Sequence, residues 1–319
     1  MKILMFGRGV ISTVYGWALE QAGHEVEFYV RPGRAATYGD TIGLDLLDTR
    51  HRLRGKRVTE QWPVRYRENL DGDFDLIVVS VPHYRLAEAA AVLAPRLGDA
   101  TVLVFGNIWE EPLDAIAPLP VDRVAWGFPQ AGGGFGEDGV LRATLMTSVV
   151  LGTLGRPPTA REQAVRDLFG EAGFRLREQP DFRGWLWIHF VSDAGLMSQA
   201  VRLGSLSKLA GAPGDLHRAL LAGRELVPLL KARGVDLRRH RLPLFRRPVW
   251  LTAAVLAGLT AYFEPVRANF VAHSDPDAVE PREVCRDTLA EARRLGVPVP
   301  RLEAAEPYFT RSSAGKEKS

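Results

Sequence analysis

The sequence predicts an α/β protein, with an N-terminal doubly wound, largely parallel sheet followed by an all-helical C-terminal domain. Three observations predict it. Short apolar runs at residues 3–6, 74–81 and 101–105 read as strands buried on both faces. Between them lie segments of helical spacing, such as Val14, Trp17, Ala18 and Ala22. From about residue 182 to residue 296 the pattern is helical almost throughout.

Taken in order, the chain opens on a strand at residues 3–6, followed at once by Gly7-Arg8-Gly9-Val10-Ile11-Ser12. A helix runs from Val10 to the natural stop at Gly23, and residues 25–30 alternate as a second strand. Strand, glycine turn, helix and strand make the Rossmann-type unit that binds a dinucleotide. Gly7 allows the tight turn, and Gly9 lets the backbone approach a pyrophosphate. The helix aims its free N–H groups at the phosphates. Ser12 stands where a third glycine is usual, and a small side chain still permits close helix–strand packing. The second strand ends at Arg31 rather than at the Asp or Glu that would bind a ribose 2′-hydroxyl. A guanidinium suits a 2′-phosphate, which favours NADP(H) over NAD(H). The alternative is a solvated loop arginine.

Residues 43–48 and 61–66 read as short strands around a basic turn at residues 50–57. The strand at 74–81 is ended by Pro82, and residues 83–97 read as a helix with an alanine-rich face. Strands follow at 101–105 and 123–128. In an open α/β sheet ligands sit off the carboxyl ends of the strands, so Pro82, His83, Tyr84, Gly106 and Asn107 are expected near the cofactor. The run Gly132-Gly133-Gly134, with Gly136, reads as a flexible loop, either beside the nicotinamide or a plain connector. Residues 139–152 suggest two strands, residues 160–173 an amphipathic helix after Pro157-Pro158-Thr159, and residues 174–177 a further strand. The domains are expected at 1–180 (dinucleotide-binding) and 181–310 (helical, substrate and catalytic), with a disordered tail at 311–319.

Composition narrows the function classes. Hydrophobic residues make up 46% and charged residues 25%, normal for a globular protein. The net charge is only +3, without a lysine-rich block, so nucleic acid is not the expected partner. The one cysteine, Cys285, forms no disulfide framework and fits a cytoplasmic location. No signal peptide is read before the first strand. The apolar stretch at residues 248–263 is short for a bilayer and contains Thr252 and Thr260, so it is expected to be a buried helix rather than a membrane span. His189, Asp193, His273 and Asp275 have no metal-ligand spacing, and no metal is expected.

The order of features resembles the ketopantoate reductase family. The resemblance is carried by residues 2–34 (including Tyr15-Gly16, Ala22-Gly23-His24 and Arg31), by VVLGTLGRPPTAREQAVRDLFGEAGFRL and by EARRLGVPVP. It covers nearly the full chain, more poorly between about residues 236 and 263. The resemblance implies an NADPH-dependent reduction of a 2-oxo acid to a 2-hydroxy acid. It implies a catalytic lysine on the first long helix of the second domain, asparagines and a serine that position substrate, and a supporting glutamate. Gly7, Gly9 and Arg31 match its cofactor half, Asn107 falls on an asparagine, and Glu280 on the glutamate. The substrate half departs. Aligning Leu186-Trp187 puts His189 on the lysine, Asp193 on one asparagine and Met197 on another. Pro82 or His83 stands where the family has a lysine after its strand. Ala268, Asn269 and Ser274 are the nearest to the serine.

His189 and Asp193 are four apart on the expected helix and share a face. A histidine can donate a proton near neutral pH, and Asp193 can orient it and raise its pKa. The competing reading is a hydrogen-bonded histidine in an aromatic helix. The expected catalytic set is His189, Asp193, Glu280 and Asn107. The cofactor set is Gly7, Arg8, Gly9, Val10, Ile11, Ser12, Arg31, Pro82 and Asn107. The expected substrate is a small carbonyl compound, either a 2-oxo acid or a different ketone or aldehyde, larger and more apolar than ketopantoate given Trp185, Trp187, Trp250 and Phe263, and a homodimer is allowed. Three readings stay open: an NADPH-dependent carbonyl reductase, an NADP(H)-binding regulatory or redox-sensing protein, and an enzyme working in the oxidative direction.

Overall fold

The computed structural model describes residues 1–52, 54–240, 247–272 and 279–310. The chain separates into two compact units, Met1–Arg183 and Gly184–Ser319. The first begins with β1 (Lys2–Phe6), α1 (Val10–Gln21), β2 (Glu25–Tyr29), α2 (Ala35–Tyr38), β3 (Thr41–Asp48), β4 (Lys56–Pro63), β5 (Tyr66–Arg67), β6 (Leu76–Val79) and α3 (Leu86–Leu93). It continues with β7 (Thr101–Phe105), α4 (Pro112–Ala115), β8 (Val124–Phe128), β9 (Ala131–Phe135), β10 (Leu141–Leu145), β11 (Ser148–Gly152), α5 (Ala160–Glu171) and β12 (Arg175–Gln179).

An eight-stranded sheet runs β12-β11-β8-β7-β6-β1-β2-β5. From β5 to β8 every pairing is parallel. This is the doubly wound order 3-2-1-4-5-6, whose order reverses between β1 and β6. β6 and β7 are buried along their whole length, as strands covered on both faces must be. β11 returns antiparallel to β8, and β12, with Arg175, Arg177 and Glu178, forms a charged edge.

A second sheet, β4-β3-β10-β9, joins two distant parts of the chain. Its apolar side, with Ile42, Leu44, Leu46, Trp62, Leu141 and Leu145, shares one core with α1, α5 and the large sheet. α1 therefore lies between two sheets. Gly16 is where it comes closest to the large sheet: a Cβ there would lie 2.9 Å from the Phe28 ring and 3.4 Å from Met5 and Val26. This is the close-packing role expected one turn earlier, at Ser12. The chain crosses between sheets after Phe128 and after Leu145. Gln130 ties the crossings together: its N–H donates to Tyr15 Oη at 2.8 Å, its carbonyl accepts from Met146 N–H at 3.0 Å, and its side-chain oxygen accepts from Ser148 Oγ at 2.5 Å.

Several expectations need correction. Gly132-Gly133-Gly134 is not a loop but the middle of β9, antiparallel to β10. A Cβ on Gly133 would stand 2.4 Å from Ala143 Cβ and 2.5 Å from Arg142 O, so glycine permits close strand approach there. Residues 83–97 are not one helix. They divide into a 3₁₀ turn (His83–Arg85), α3 and a second 3₁₀ turn (Ala94–Arg96), since Pro95 supplies no backbone donor. The helix at 160–173 forms as α5, and Thr159 and Glu162 close a reciprocal capping box at its start.

The second unit is helical: α6 (Phe182–Leu203), which begins at the end of the first unit, α7 (Pro213–Glu225), α8 (Val227–Ala232), and the helices Val249–Tyr262, Glu264–Ala272, Val279–Arg294 and Pro300–Thr310. Residues 248–263 were expected to be buried, and only one face is. Val249, Ala253, Ala257 and Thr260 face inward, while Trp250 is 66% and Tyr262 91% exposed, with Leu251, Val255 and Leu259 exposed between them. Among the described residues no single helix is long and apolar enough to cross a membrane. Helices Val249–Tyr262 and Glu264–Val271 reach that length and composition only as a pair, bent by 89°. Residues 311–319, expected as a disordered tail, lie outside the described residues.

Candidate functional site

The glycine turn leaves β1 at the point where strand order reverses. Gly7 takes φ +102°, a conformation that L side chains rarely adopt, and its N–H donates to Tyr29 O at 3.0 Å. Gly9 caps α1 without a side-chain hydrogen bond, and the first turn carries no acidic residue. Thr13 N–H is bonded to Gly9 O at 2.9 Å, so the N–H groups of Val10, Ile11 and Ser12 precede the first such acceptor. A Cβ on Gly7 or Gly9 would meet nothing within 4 Å, so the front of the turn is open. Ser12 and Thr13 are buried, and Ser12 Oγ and Thr13 Oγ1 have no hydrogen-bond partner among the described residues. Open backbone donors at an uncapped helix start and two unsatisfied hydroxyls fit a dinucleotide pyrophosphate.

Around this turn stand Tyr38, Tyr66, Phe135 and Glu68, which the sequence did not single out. The Arg8 guanidinium carbon lies 4.8 Å from the Tyr38 ring centroid and 4.5 Å from that of Phe135, and Arg8 Nε donates to Tyr66 Oη at 2.7 Å. Burial raises the Tyr66 pKa above its ordinary value, although the Arg8 hydrogen bond opposes this. Phe6 and Tyr29 stack at 5.0 Å beside the turn. Arg31 is exposed, and its side chain makes no hydrogen bond or ion pair among the described residues. Glu68, just after β5, anchors the turn that follows Arg31. Ala35 N–H donates to its Oε1 at 2.8 Å, and the N–H groups of Gly33 and Arg34 also reach the carboxylate, holding its pKa below the usual carboxylate value. Spacing offered no sign of Tyr38, Phe135 or Glu68, because they come from α2, from β9 and from the residue after β5, which are distant in sequence.

Pro82 follows β6 and is half-buried, as is Asn107 just past β7. His83 is buried, with its ring edge-on to Tyr84 at 5.3 Å. These residues lie beyond the carboxyl ends of the two strands on the other side of the reversal point.

In the second unit, His189 Nε2 and Asp193 Oδ2 are 3.2 Å apart on α6. Their side chains keep 32% and 24% of their exposure, so both are partly shielded and reachable. Burial works against a charged imidazole, but the charge and hydrogen bond of Asp193 outweigh it, and the His189 pKa is raised. Trp185, one turn before, lies flat against the imidazole at 5.3 Å and 9°. Of the four aromatics expected to shape the substrate region, Trp185 stacks on His189. Trp187 is core, covered by the Arg233 guanidinium at 3.8 Å, and Trp250 is exposed. Cys285 Sγ approaches Ala194 O at 3.7 Å, packing the helix Val279–Arg294 along α6. Burial pushes the Cys285 thiol up, in keeping with its expected packing role. Glu280 is exposed in the first turn of that helix, and Met197 is half-buried on α6. Of the serine-like candidates, Ala268 and Asn269 lie on the helix Glu264–Ala272, while Ser274 lies outside the described residues, as do His273 and Asp275. Among the described residues no group of three or more His, Cys, Asp or Glu side chains could hold a metal ion.

Residues 3–156 match the family model Ketopantoate reductase PanE/ApbA. No curated protein matches the chain. Solved structures match in fold along nearly the whole chain. A PanE/ApbA family ketopantoate reductase from Ralstonia eutropha JMP134 is 20% identical, with 97% of each chain covered and a TM-score of 0.66. A 2-dehydropantoate 2-reductase from Geobacter metallireducens GS-15 is 18% identical, covering 97% of this chain and 99% of that one, with a TM-score of 0.68. A D-mandelate dehydrogenase, in a ternary structure with NADH and anilino(oxo)acetate, is 15% identical, with 97% of each chain covered and a TM-score of 0.69.

Proposed function

We propose, from the match of residues 3–156 to the ketopantoate reductase PanE/ApbA family model, that the chain is an NADPH-dependent oxidoreductase that reduces a small carbonyl compound to an alcohol. The observation that carries this reading is the open Gly7–Gly9 turn at the uncapped start of α1, with its free N–H groups at the reversal point of the sheet. The backbone donors of residues 10–12 hold the pyrophosphate, with Ser12 and Thr13 supplying hydroxyls. Arg31 pairs with the 2′-phosphate, which an NAD-type carboxylate would repel. Pro82 and Asn107 border the same carboxyl edge. When bound, the cofactor supplies a hydride to the carbonyl carbon.

The carbonyl oxygen gains negative charge as that carbon is reduced and needs a proton. His189 is the donor in this reading. Asp193 pairs with Nε2, orients the ring and keeps the imidazolium populated to higher pH. Trp185 gives the site a flat aromatic wall, suited to a 2-oxo acid or related ketone with an apolar or aromatic substituent. Glu280 and Asn107 remain supporting residues in this proposal.

The direct test is NADPH consumption against a panel of aliphatic and aromatic 2-oxo acids and ketones. Rapid oxidation with the aromatic members is expected. Tight NADPH binding with no acceleration by any carbonyl would reject the reductase reading and favour a regulatory NADP(H)-binding protein. For the cofactor, Arg31→Ala is expected to weaken NADPH by about 10–100-fold, the worth of a charge-assisted contact, with little effect on NADH. Equal losses in a binding titration would reject the 2′-phosphate assignment.

A further inference from the structure

Arg8 is held in a way that the pyrophosphate does not explain. Two other arginines of the same domain show how a structural guanidinium is satisfied here. Arg50 pairs with Asp48 at 2.9 Å and donates to Ala172 O at 2.7 Å, and Arg67 pairs with Glu27 at 3.1 Å and donates to Asn69 Oδ1 at 3.1 Å. Each engages a carboxylate through a terminal nitrogen. Arg8 engages none. Tyr38 and Phe135 flank its guanidinium, and Tyr66 accepts from Nε. Its terminal nitrogens make no hydrogen bond or ion pair among the described residues. The planar fork is fixed by its Nε end and its neighbouring rings, with the terminal donors open to a ligand.

The strand register says which ligand. β1 and β2 run parallel with Phe6 opposite Tyr29, and the Gly7 N–H bond to Tyr29 O extends the pairing by one residue. Arg8 and Arg31 each stand two residues past that pair. They leave neighbouring strands at the same carboxyl edge, and such strands are about 4.8 Å apart. Glu68, the carboxylate beside this edge, is committed to the N–H groups of Gly33, Arg34 and Ala35 and leaves the two guanidiniums unneutralised. Two arginines side by side without a carboxylate call for a compact dianion between them.

We propose that Arg8 is a second, pre-positioned ligand of the cofactor's 2′-phosphate, and that Tyr38, Phe135 and Tyr66 form the box that holds it for that contact. The proposal rests on the NADP(H) reading above and adds the division of labour. Arg31 is long, exposed and must be ordered on binding. Arg8 has already lost that freedom, so its contact adds affinity at small entropic cost.

The test is a fluorescence titration of NADPH and NADH into the wild-type chain, Arg8→Met, Arg8→Lys and Arg31→Ala. Arg8→Met keeps an unbranched side chain against the rings and removes the fork. It is expected to raise the Kd for NADPH by about 10–100-fold while NADH binds as in wild type, which also verifies folding. Arg8→Lys should recover part of the preference, since it keeps the charge and loses the planar fork. An equal loss for both cofactors would assign Arg8 to the pyrophosphate or to packing and overturn the proposal, as would an unchanged NADPH preference. If wild type prefers NADPH and only Arg31→Ala abolishes the preference, this proposal fails alone. A wild-type chain that prefers NADH, or binds neither, overturns the NADP(H) reading and this proposal with it.

Discussion

His189→Ala is expected to lower kcat by about 10²–10⁴-fold, the usual worth of a positioned general acid, with NADPH affinity little changed. The reason is the geometry on α6. Asp193 Oδ2 lies 3.2 Å from Nε2, and Trp185 stacks on the ring face, so the imidazole has one orientation and a raised pKa. The active form is the protonated one. Because the pKa is raised, kcat/KM should hold through the ordinary histidine range, near 6.5, and fall only as pH rises through the higher value. Asp193→Asn removes the charge that raises it, so the fall should begin at lower pH. The same pair contributes to folding with the same sign. Its stabilisation is complete below the unfolded histidine pKa and is lost as pH rises through the folded one. A pH–rate profile of the three proteins checks the statement on activity, and their melting temperatures over the same pH range check the one on folding. Full activity in His189→Ala, or a profile that Asp193→Asn leaves in place, would remove His189 from the reaction.

Gly195→Ala is expected to destabilise the helical unit by about 2–3 kcal/mol, the upper part of the usual range for overpacking. A Cβ at Gly195 would lie 2.6 Å from Gly223 N, 2.7 Å from Gly223 Cα and 2.9 Å from Ala219 O. All three are backbone atoms of α7, so no rotamer change relieves the contact and the two helices must separate. A fall in melting temperature on the order of 5–10 °C follows for a unit of this size. Gly195 is two residues past Asp193, so the same displacement should lower kcat below the melting range. A melting curve that coincides with wild type would refute the close crossing.

The sequence made the β1–α1–β2 unit legible because its periods change abruptly. A buried run gives way to a glycine turn, then to helical spacing, and each transition has a local cause. The place of Arg31, two residues past the end of β2, was legible for the same reason. The strand β9 was not, because three consecutive glycines carry no alternation and only β10 beside them makes them a strand. The helix Val249–Tyr262 misled in the opposite way. It is apolar all round, so nothing in its sequence distinguishes the inward Ala253 and Ala257 from the outward Trp250 and Tyr262. At the candidate site, the His189–Asp193 pair followed from i, i+4 spacing. The aromatic box around Arg8 is assembled from α2, β5 and β9, and no local pattern announces a contact made through two sheets.

That small sheet also has a kinetic consequence. Its central pairing, β3 beside β10, joins residues 44–48 to residues 141–145. Until nearly half of the chain has emerged, the hairpin of β3 and β4 has no β10 to pair with, and α1 lacks part of the cover on its outer face. Pairings so far apart in sequence close slowly. The helix α1, among the first elements synthesised, is therefore among the last to be fully enclosed, and a chain that stops short of β10 leaves apolar surface open to aggregation.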